Sequence, residues 1–300
     1  MKNNFRILHI AFVALTATLI FPYCKKENGG ELGTIAKADF VAVPGTNPNN
    51  ITLVNKSASA SIPSWRVGTS SALLRGDSAL TSFDNKGTYN VTLYSASRGG
   101  IDSITKQIVI AQDDPTACQR NVKGFLAGCT SKKWKLNPSA GAYKVGDQGP
   151  GAGNWWSSPA GEAAARSCEF NDEYTFAYAS ETFVYDNKGD FYGDNYLGNN
   201  TGTCQPSSNY TPTQAPYGSG NFTYTFVEKA GVKGLGQLTV EGLGAHIGIQ
   251  KARNGGEIPT PATSVTYDVL STKKDVGFDL IELGVNIGGS GWWTFTLRSF

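Results

Sequence analysis

The side chains best able to do chemistry gather in two stretches. Cys168-Glu169-Phe170-Asn171-Asp172-Glu173-Tyr174 brings three carboxylates together, and Asp186, Asp190 and Asp194 follow in the next loop. Two carboxylates about 5 to 9 Å apart across one sugar bond would make a glycosidase, with one as acid and the other as base or nucleophile. Carboxylates at strand edges and in turns are more simply read as solvated, which is the expectation here. A Ser-His-Asp set is not available either, because His246 is the one histidine beyond the N-terminal segment and sits in a Gly-Ala-His-Ile-Gly run of structural character. The oxygen-rich run from Asp186 to Asn195 has the make-up of a calcium loop but not the ligand spacing of an EF-hand. No metal, no cofactor and no catalytic residue are assigned.

A second kind of chemistry is stacking. Gly153-Asn154-Trp155-Trp156-Ser157-Ser158-Pro159 sets two indoles side by side in a loop rich in Gly, Pro and Ala. Neighbours on an extended chain point to opposite faces, so at least one indole is exposed unless the loop folds over it. A flat aromatic face on a loop is what the C–H surface of a sugar ring stacks on; the competing reading is a plug for the end of a barrel. Tyr192, Asn195 and Tyr196, in the next long loop, are the expected hydrogen-bonding partners. Trp292-Trp293 lies in the alternating run Trp-Trp-Thr-Phe-Thr-Leu, where one indole faces the core, and Trp134, alternating with lysines, reads as core.

Cys24 speaks to location. Lys2 and Arg6 precede an apolar run, Ile7 to Phe21, of about 15 residues, short for a bilayer span of roughly 20. Such a run followed by a cysteine is the pattern of an export signal, 1–23, with lipidation at Cys24. The residues before it, Phe21-Pro22-Tyr23, depart from the small-residue pattern of a lipobox, and cleavage elsewhere would give a secreted protein. The following Cys24-Lys25-Lys26-Glu27-Asn28 resembles the charged tether of surface-exposed Bacteroidetes lipoproteins. That resemblance implies anchorage in the outer membrane, facing the cell exterior, with 24–37 as a flexible tether.

Composition limits the partners. Of 26 basic residues, Lys2 and Arg6 leave with the signal, so 24 stand against 24 acidic ones, which argues against nucleic acid or an anionic membrane surface. Charged residues are only 17% while glycines number 36, the profile of an extracellular β-protein rich in turns. Cys118, Cys129, Cys168 and Cys204 lack metal-ligand spacing; in an exported chain they form disulfides, with three pairings open. A Cys168–Cys204 bridge would contribute about 4 kcal/mol on the chain-entropy model.

From Ala38 the chain alternates in short β-branched runs broken by turn residues, as in a sandwich. ADFVAV, NITLVNKSAS, PSWRVG, NKGTYNVTLYSAS and ITKQIVIA together resemble a PKD domain, an immunoglobulin-like module, over 38–112, with Trp65 as its core tryptophan. Arg66-Val67-Gly68-Thr69 replaces the aspartate-glycine turn usual after that tryptophan strand. The resemblance implies a spacer or docking module without catalytic residues.

Asp113-Asp114-Pro115 opens a second domain, 113–300. Its expected strands are 132–136, 173–178, 182–185, 221–228, 236–241, 246–251, 265–270, 278–285 and 292–298, an antiparallel meander closing as a barrel or sandwich. The excursions 138–168 and 187–216 are too long for hairpin turns and are candidates for function. The stretches SKKWKL, NWW, CEFNDEYTF, VYDNKGD and the final WWTF resemble C-terminal regions of surface proteins from Bacteroidetes polysaccharide-utilisation systems. That resemblance implies carbohydrate recognition. The fold expected is therefore all-β, and the function a non-catalytic surface lipoprotein that captures polysaccharide for a neighbouring importer and glycosidases. A glycoside hydrolase with an unrecognised carboxylate pair and a protein-binding adhesive module are the alternatives.

Overall fold

The computed structural model describes residues 33–58, 60–198 and 202–300. The signal, Cys24 and the first part of the tether lie outside the described residues. The chain forms two compact units, one ending at Asp114 and one running from Pro115 to Phe300. Strand dominates both, so the protein is all-β.

The first unit has strands β1 (Phe40–Pro44), β2 (Asn50–Asn55), β3 (Ile62–Val67), β4 (Leu74–Arg75), β5 (Ser78–Ser82), β6 (Gly87–Ser97) and β7 (Gly100–Ile110). They make two antiparallel sheets, in the orders β1-β2-β5 and β4-β3-β6-β7. Period-two alternation turns Ile51 and Leu53 of β2 and Val91 and Leu93 of β6 inward onto Trp65, which is fully buried. The Trp65 indole donates to the Gly76 carbonyl at 2.9 Å and meets the edge of Phe40 at 5.3 Å. After Trp65 the turn is made by Gly68, whose φ of 59° is the left-handed conformation the missing aspartate-glycine pair would have supplied. The tether ends earlier than expected: Ala36 is buried and its amide donates to Ser97 Oγ at 3.2 Å, so residues 33–37 lie on the β6–β7 hairpin.

The second unit begins with helix α1 (Val122–Ala127), capped by the Asn121 side chain, which accepts from the Gly124 amide at 2.7 Å. Then come β8 (Ser131–Leu136), β9 (Tyr143–Gly146), β10 (Trp156–Ser157), short helices α2 (Glu162–Ala165) and α3 (Ser167–Phe170), β11 (Glu173–Ala177), β12 (Thr182–Asp186), β13 (Asp190–Tyr192) and β14 (Cys204–Pro206). The remaining strands are β15 (Gly220–Glu228), β16 (Gly236–Glu241), β17 (Ala252–Arg253), β18 (Gly256–Glu257), β19 (Ser264–Asp275), β20 (Phe278–Asn286) and β21 (Trp292–Ser299). Strands β8, β11, β12, β15, β16, β19, β20 and β21 are hydrogen-bonded in that order, and β21 returns to β8 through Leu297↔Leu136 and Ser299↔Trp134. The meander is thus a closed eight-stranded up-and-down barrel, a size whose interior side chains can fill. They do so here: Phe176 stacks on Phe183 at 4.9 Å, and Tyr224 meets Phe176 edge-on at 5.3 Å.

The connections sort by length. At the α1 end the turns 178–181, 229–235 and 276–277 are short, and the Trp134 indole donates to the Leu126 carbonyl at 2.7 Å, fixing α1 across that end. The long connections 137–172, 187–219 and 242–263 all emerge at the opposite end, because alternate turns of a meander share an end. There the expected strand 246–251 is absent. Residues 245–250 form a buried plug instead, bent through positive-φ Gly244 and Gly248, with the Ile247 and Gly248 amides donating to the Tyr267 and Tyr174 hydroxyls at 2.9 and 3.2 Å. The reason is steric as well as polar: a Cβ on Gly248 would fall 2.3 Å from the Phe295 ring.

Candidate functional site

The tryptophan loop rises at the plugged end. The first half of β21 pairs with β9 (Trp293↔Val145, Phe295↔Tyr143), its second half with β8, so β9 and β10 form a flap beside the barrel rim. Asn154 ties the flap together: its Oδ1 accepts from the Asp147 amide at 3.1 Å and its Nδ2 donates to Asp147 Oδ1 at 2.7 Å. Gly146 makes room, since a Cβ there would lie 2.1 Å from Asn154 Oδ1. On this flap Trp155 and Trp156 are 55% and 38% exposed.

Below them is a cavity of about 330 Å³. Trp155, Trp156 and Trp293 form its aromatic side, with the Trp156 and Trp293 ring centroids 6.2 Å apart at 59°. Tyr143, Val145 and Ile249 add apolar wall, the last from the plug. Four charged side chains complete it: Arg166, Asp194, Lys251 and Glu257. Glu257 Oε1 accepts from the Trp293 indole at 2.6 Å and from Lys251 Nζ at 2.9 Å, and Lys251 Nζ lies 5.5 Å from the Trp293 ring centre. Arg166 donates to Glu169 from Nε at 2.5 Å and from Nη2 at 3.1 Å, and from Nη2 to Asp194 at 3.2 Å. Each cation on the wall therefore already holds a carboxylate.

Of the residues expected at the site, Trp155 and Trp156 line the cavity, while Tyr192, Asn195 and Tyr196 do not. Tyr192 lies under the Arg166 guanidinium at 3.9 Å and donates its hydroxyl to the Gly202 carbonyl at 2.8 Å. Tyr196 donates to Gln250 Oε1 at 2.6 Å and carries Lys251 Nζ 5.3 Å over its ring. Both tyrosines thus back the charged wall rather than face the cavity. Asn195 is exposed and outside the lining; its backbone amide donates to Asp194 Oδ1 at 2.7 Å and its carbonyl accepts from the Gly198 amide at 3.1 Å. The loop 187–219 reaches the cavity through Asp194 instead.

The reading of the first carboxylate group as solvated is overturned. Glu169 and Asp172 are buried at 3% exposure, Glu169 against Arg166 and the Tyr143 hydroxyl at 3.3 Å, Asp172 against the Tyr185 hydroxyl at 2.8 Å. Burial pushes both carboxyls above the ordinary range, Asp172 well above it, against the pull of these partners. Glu173, at the start of β11, is not free in solvent either: its side chain is 14% exposed and stands among Lys133, Lys135 and Lys188 at 3.2, 3.5 and 2.9 Å. His246 is buried in the plug with Nδ1 2.8 Å from the Gly244 carbonyl, and burial drives its pKa down to about 4. Among the described residues no group of three or more His, Cys, Asp or Glu could hold a metal.

Two disulfides are present, Cys118–Cys129 and Cys168–Cys204. The second, spanning 36 residues, joins α3 to β14 and so ties the segment carrying Arg166 to the loop carrying Asp194. The sequence offered no period or spacing that singled out Arg166, Lys251 or Glu257. The nearest mark in the sequence was Cys168, two residues from Arg166, and with three pairings open it did not point to the cavity.

No protein-family model and no curated protein matches the chain. Among solved structures, the PKD1 domain of the Vibrio cholerae metalloprotease PrtV is similar at 17% identity, covering 26% of this chain and 96% of that one, at a TM-score of 0.22. A carbohydrate-binding module of the β-sandwich superfamily, one of a group with promiscuous specificity, is similar at 12% identity, covering 89% of this chain and 91% of that one, at a TM-score of 0.24. Likenesses this faint bear no weight on what the site binds.

Proposed function

We propose that the protein captures glycan without cleaving it, through the cavity at the plugged end of the barrel. One observation carries this reading: three indoles, two of them substantially exposed, border a single cavity rimmed by paired charges. Indole faces supply apolar area for a sugar's C–H surface, and charged edges supply donors and acceptors for its hydroxyls. Covering about 100 Å² of indole is worth about 2.5 kcal/mol at ~25 cal/mol per Å².

A non-catalytic role is supported by the state of the carboxylates. Glu257 and Asp194 on the wall are each held against a cation, and Glu169 and Asp172 are buried. Neither pair is an exposed acid beside a free base. The signal and Cys24 support a lipid anchor, the tether resemblance an outward-facing position at the outer membrane, and the resemblance of the second unit to polysaccharide-utilisation proteins an importer and glycosidases as neighbours, with the PKD-like unit as spacer. Crowding on such a surface would offset weak single-site affinity.

Native affinity electrophoresis through gels carrying β-glucans, mannans, xylans or chitin-derived polymers tests this. Retardation by a polymer is expected, lost in the Trp155→Ala, Trp156→Ala double variant with its thermal melt unchanged. Release of reducing ends from that polymer would replace capture with hydrolysis. Migration unaffected by any polymer would turn the reading toward a protein partner.

A further inference from the structure

We propose that the cavity takes a neutral glycan and engages about two sugar rings of it; this rests on the capture reading above. The size argument is volumetric. An apolar cavity of about 150 Å³ holds one benzene, and a hexose with its hydroxyls is about twice that size, so a cavity of about 330 Å³ that opens to solvent beside Trp155 and Trp156 seats one sugar ring inside and leaves a second against the rim indoles. Its walls come from separate parts of the chain: the flap at 155–156, Arg166, Asp194, the 249–257 segment and Trp293. These bound the site on several sides instead of leaving a long channel.

The charge argument is a balance. Arg166 sits between Glu169 and Asp194, at 2.5 and 3.2 Å, and Lys251 lies 2.9 Å from Glu257. No wall cation is left uncompensated for a uronate or sulfate, and an incoming anion would meet Asp194 and Glu257 as well as the cations. Charged groups that neutralise one another still offer N–H donors and carboxylate oxygens to hydroxyls. The aromatic side, meanwhile, is indifferent to charge and favours C–H faces.

Calorimetric titration with cello-, laminari-, manno-, xylo- and chito-oligosaccharides of increasing length, beside oligogalacturonides, is the test. In the series that binds, affinity should rise about tenfold from one unit to two and then level off within about threefold. Affinity climbing steadily through six units, or oligogalacturonides binding more tightly than every neutral series, would overturn the proposal. Glu257→Gln removes the counter-charge of Lys251, so oligogalacturonide affinity should rise about tenfold in that variant and fall again with added salt. No gain there would count against the charge argument. If polymers retard the protein in gels while short oligosaccharides of every series fail to bind, the two-ring footprint is wrong and capture stands; failure of polymers and oligosaccharides alike removes capture itself.

Discussion

The two tryptophan pairs are identical in composition and opposite in fate. Trp155 and Trp156 are 55% and 38% exposed, whereas Trp293 is 5% exposed and stacks nearly parallel on Phe295, with ring centres 6.1 Å apart and planes 2° apart. The ladder makes the difference. Strand β21 runs for eight residues with neighbours on both sides, and Trp293, Thr294 and Phe295 are buried in succession; β10 runs for two, with β9 alone beside it, and both its residues are exposed. Tryptophan becomes surface where the ladder stops, and the two kinds meet at one cavity.

That contrast sets an order of expected stability losses. Trp293→Ala removes a buried indole together with its hydrogen bond to Glu257, and should cost about 3–5 kcal/mol in urea unfolding. A loss below ~1 kcal/mol would place Trp293 with the exposed pair. Replacing Cys168 and Cys204 by serine should cost about 4 kcal/mol on the chain-entropy model, and should weaken glycan retention at temperatures where the fold persists, because it unties the Arg166 and Asp194 segments. Retention unchanged in that folded variant would show the wall to be self-supporting.

The plug supplies a pH test. His246 is neutral when folded, with a pKa of about 4 against 6.5 for the free side chain, so the unfolded chain binds the extra proton between those values. Stability from this residue is full above pH 6.5 and is lost as pH falls toward 4, by about 3 kcal/mol at most. Asp172 works in the opposite sense, since its raised folded pKa favours the folded state in acid. The His246 share is therefore read as the difference between wild type and His246→Phe across that range; parallel curves would contradict its burial as a neutral base. Smallest of all, Trp155→Ala should move stability by only about 0.5 kcal/mol while reducing glycan retention clearly, the mirror image of Trp293→Ala.

Much of the barrel was legible because alternation leaves a mark on sequence. All the barrel strands were anticipated within a few residues. The segment 246–251 misled because apolar residues fill it; its backbone amides find tyrosine hydroxyls from across the barrel, and no local pattern announces a partner that distant. Glu169 and Asp172 misled for the same reason, since a charged residue in a polar-looking stretch gives no sign that Arg166 and Tyr185 will enclose it.

At the site, the indoles of Trp155 and Trp156 were readable as a loop dipeptide that no strand could hide. Tyr192 and Tyr196 do not line the cavity and lie against Arg166 and Lys251 instead. The sequence by itself determined the all-β character, the strand meander and the exposed tryptophan loop, because these follow from periodicity and turn chemistry among near neighbours. Tertiary structure alone decided that the meander closes, which cysteines pair, and that Arg166, Asp194, Lys251, Glu257 and Trp293 meet around one cavity. Those depend on through-space contacts among residues up to 165 positions apart, Trp134 and Ser299 being the extremes, and chain periodicity carries no record of such distances.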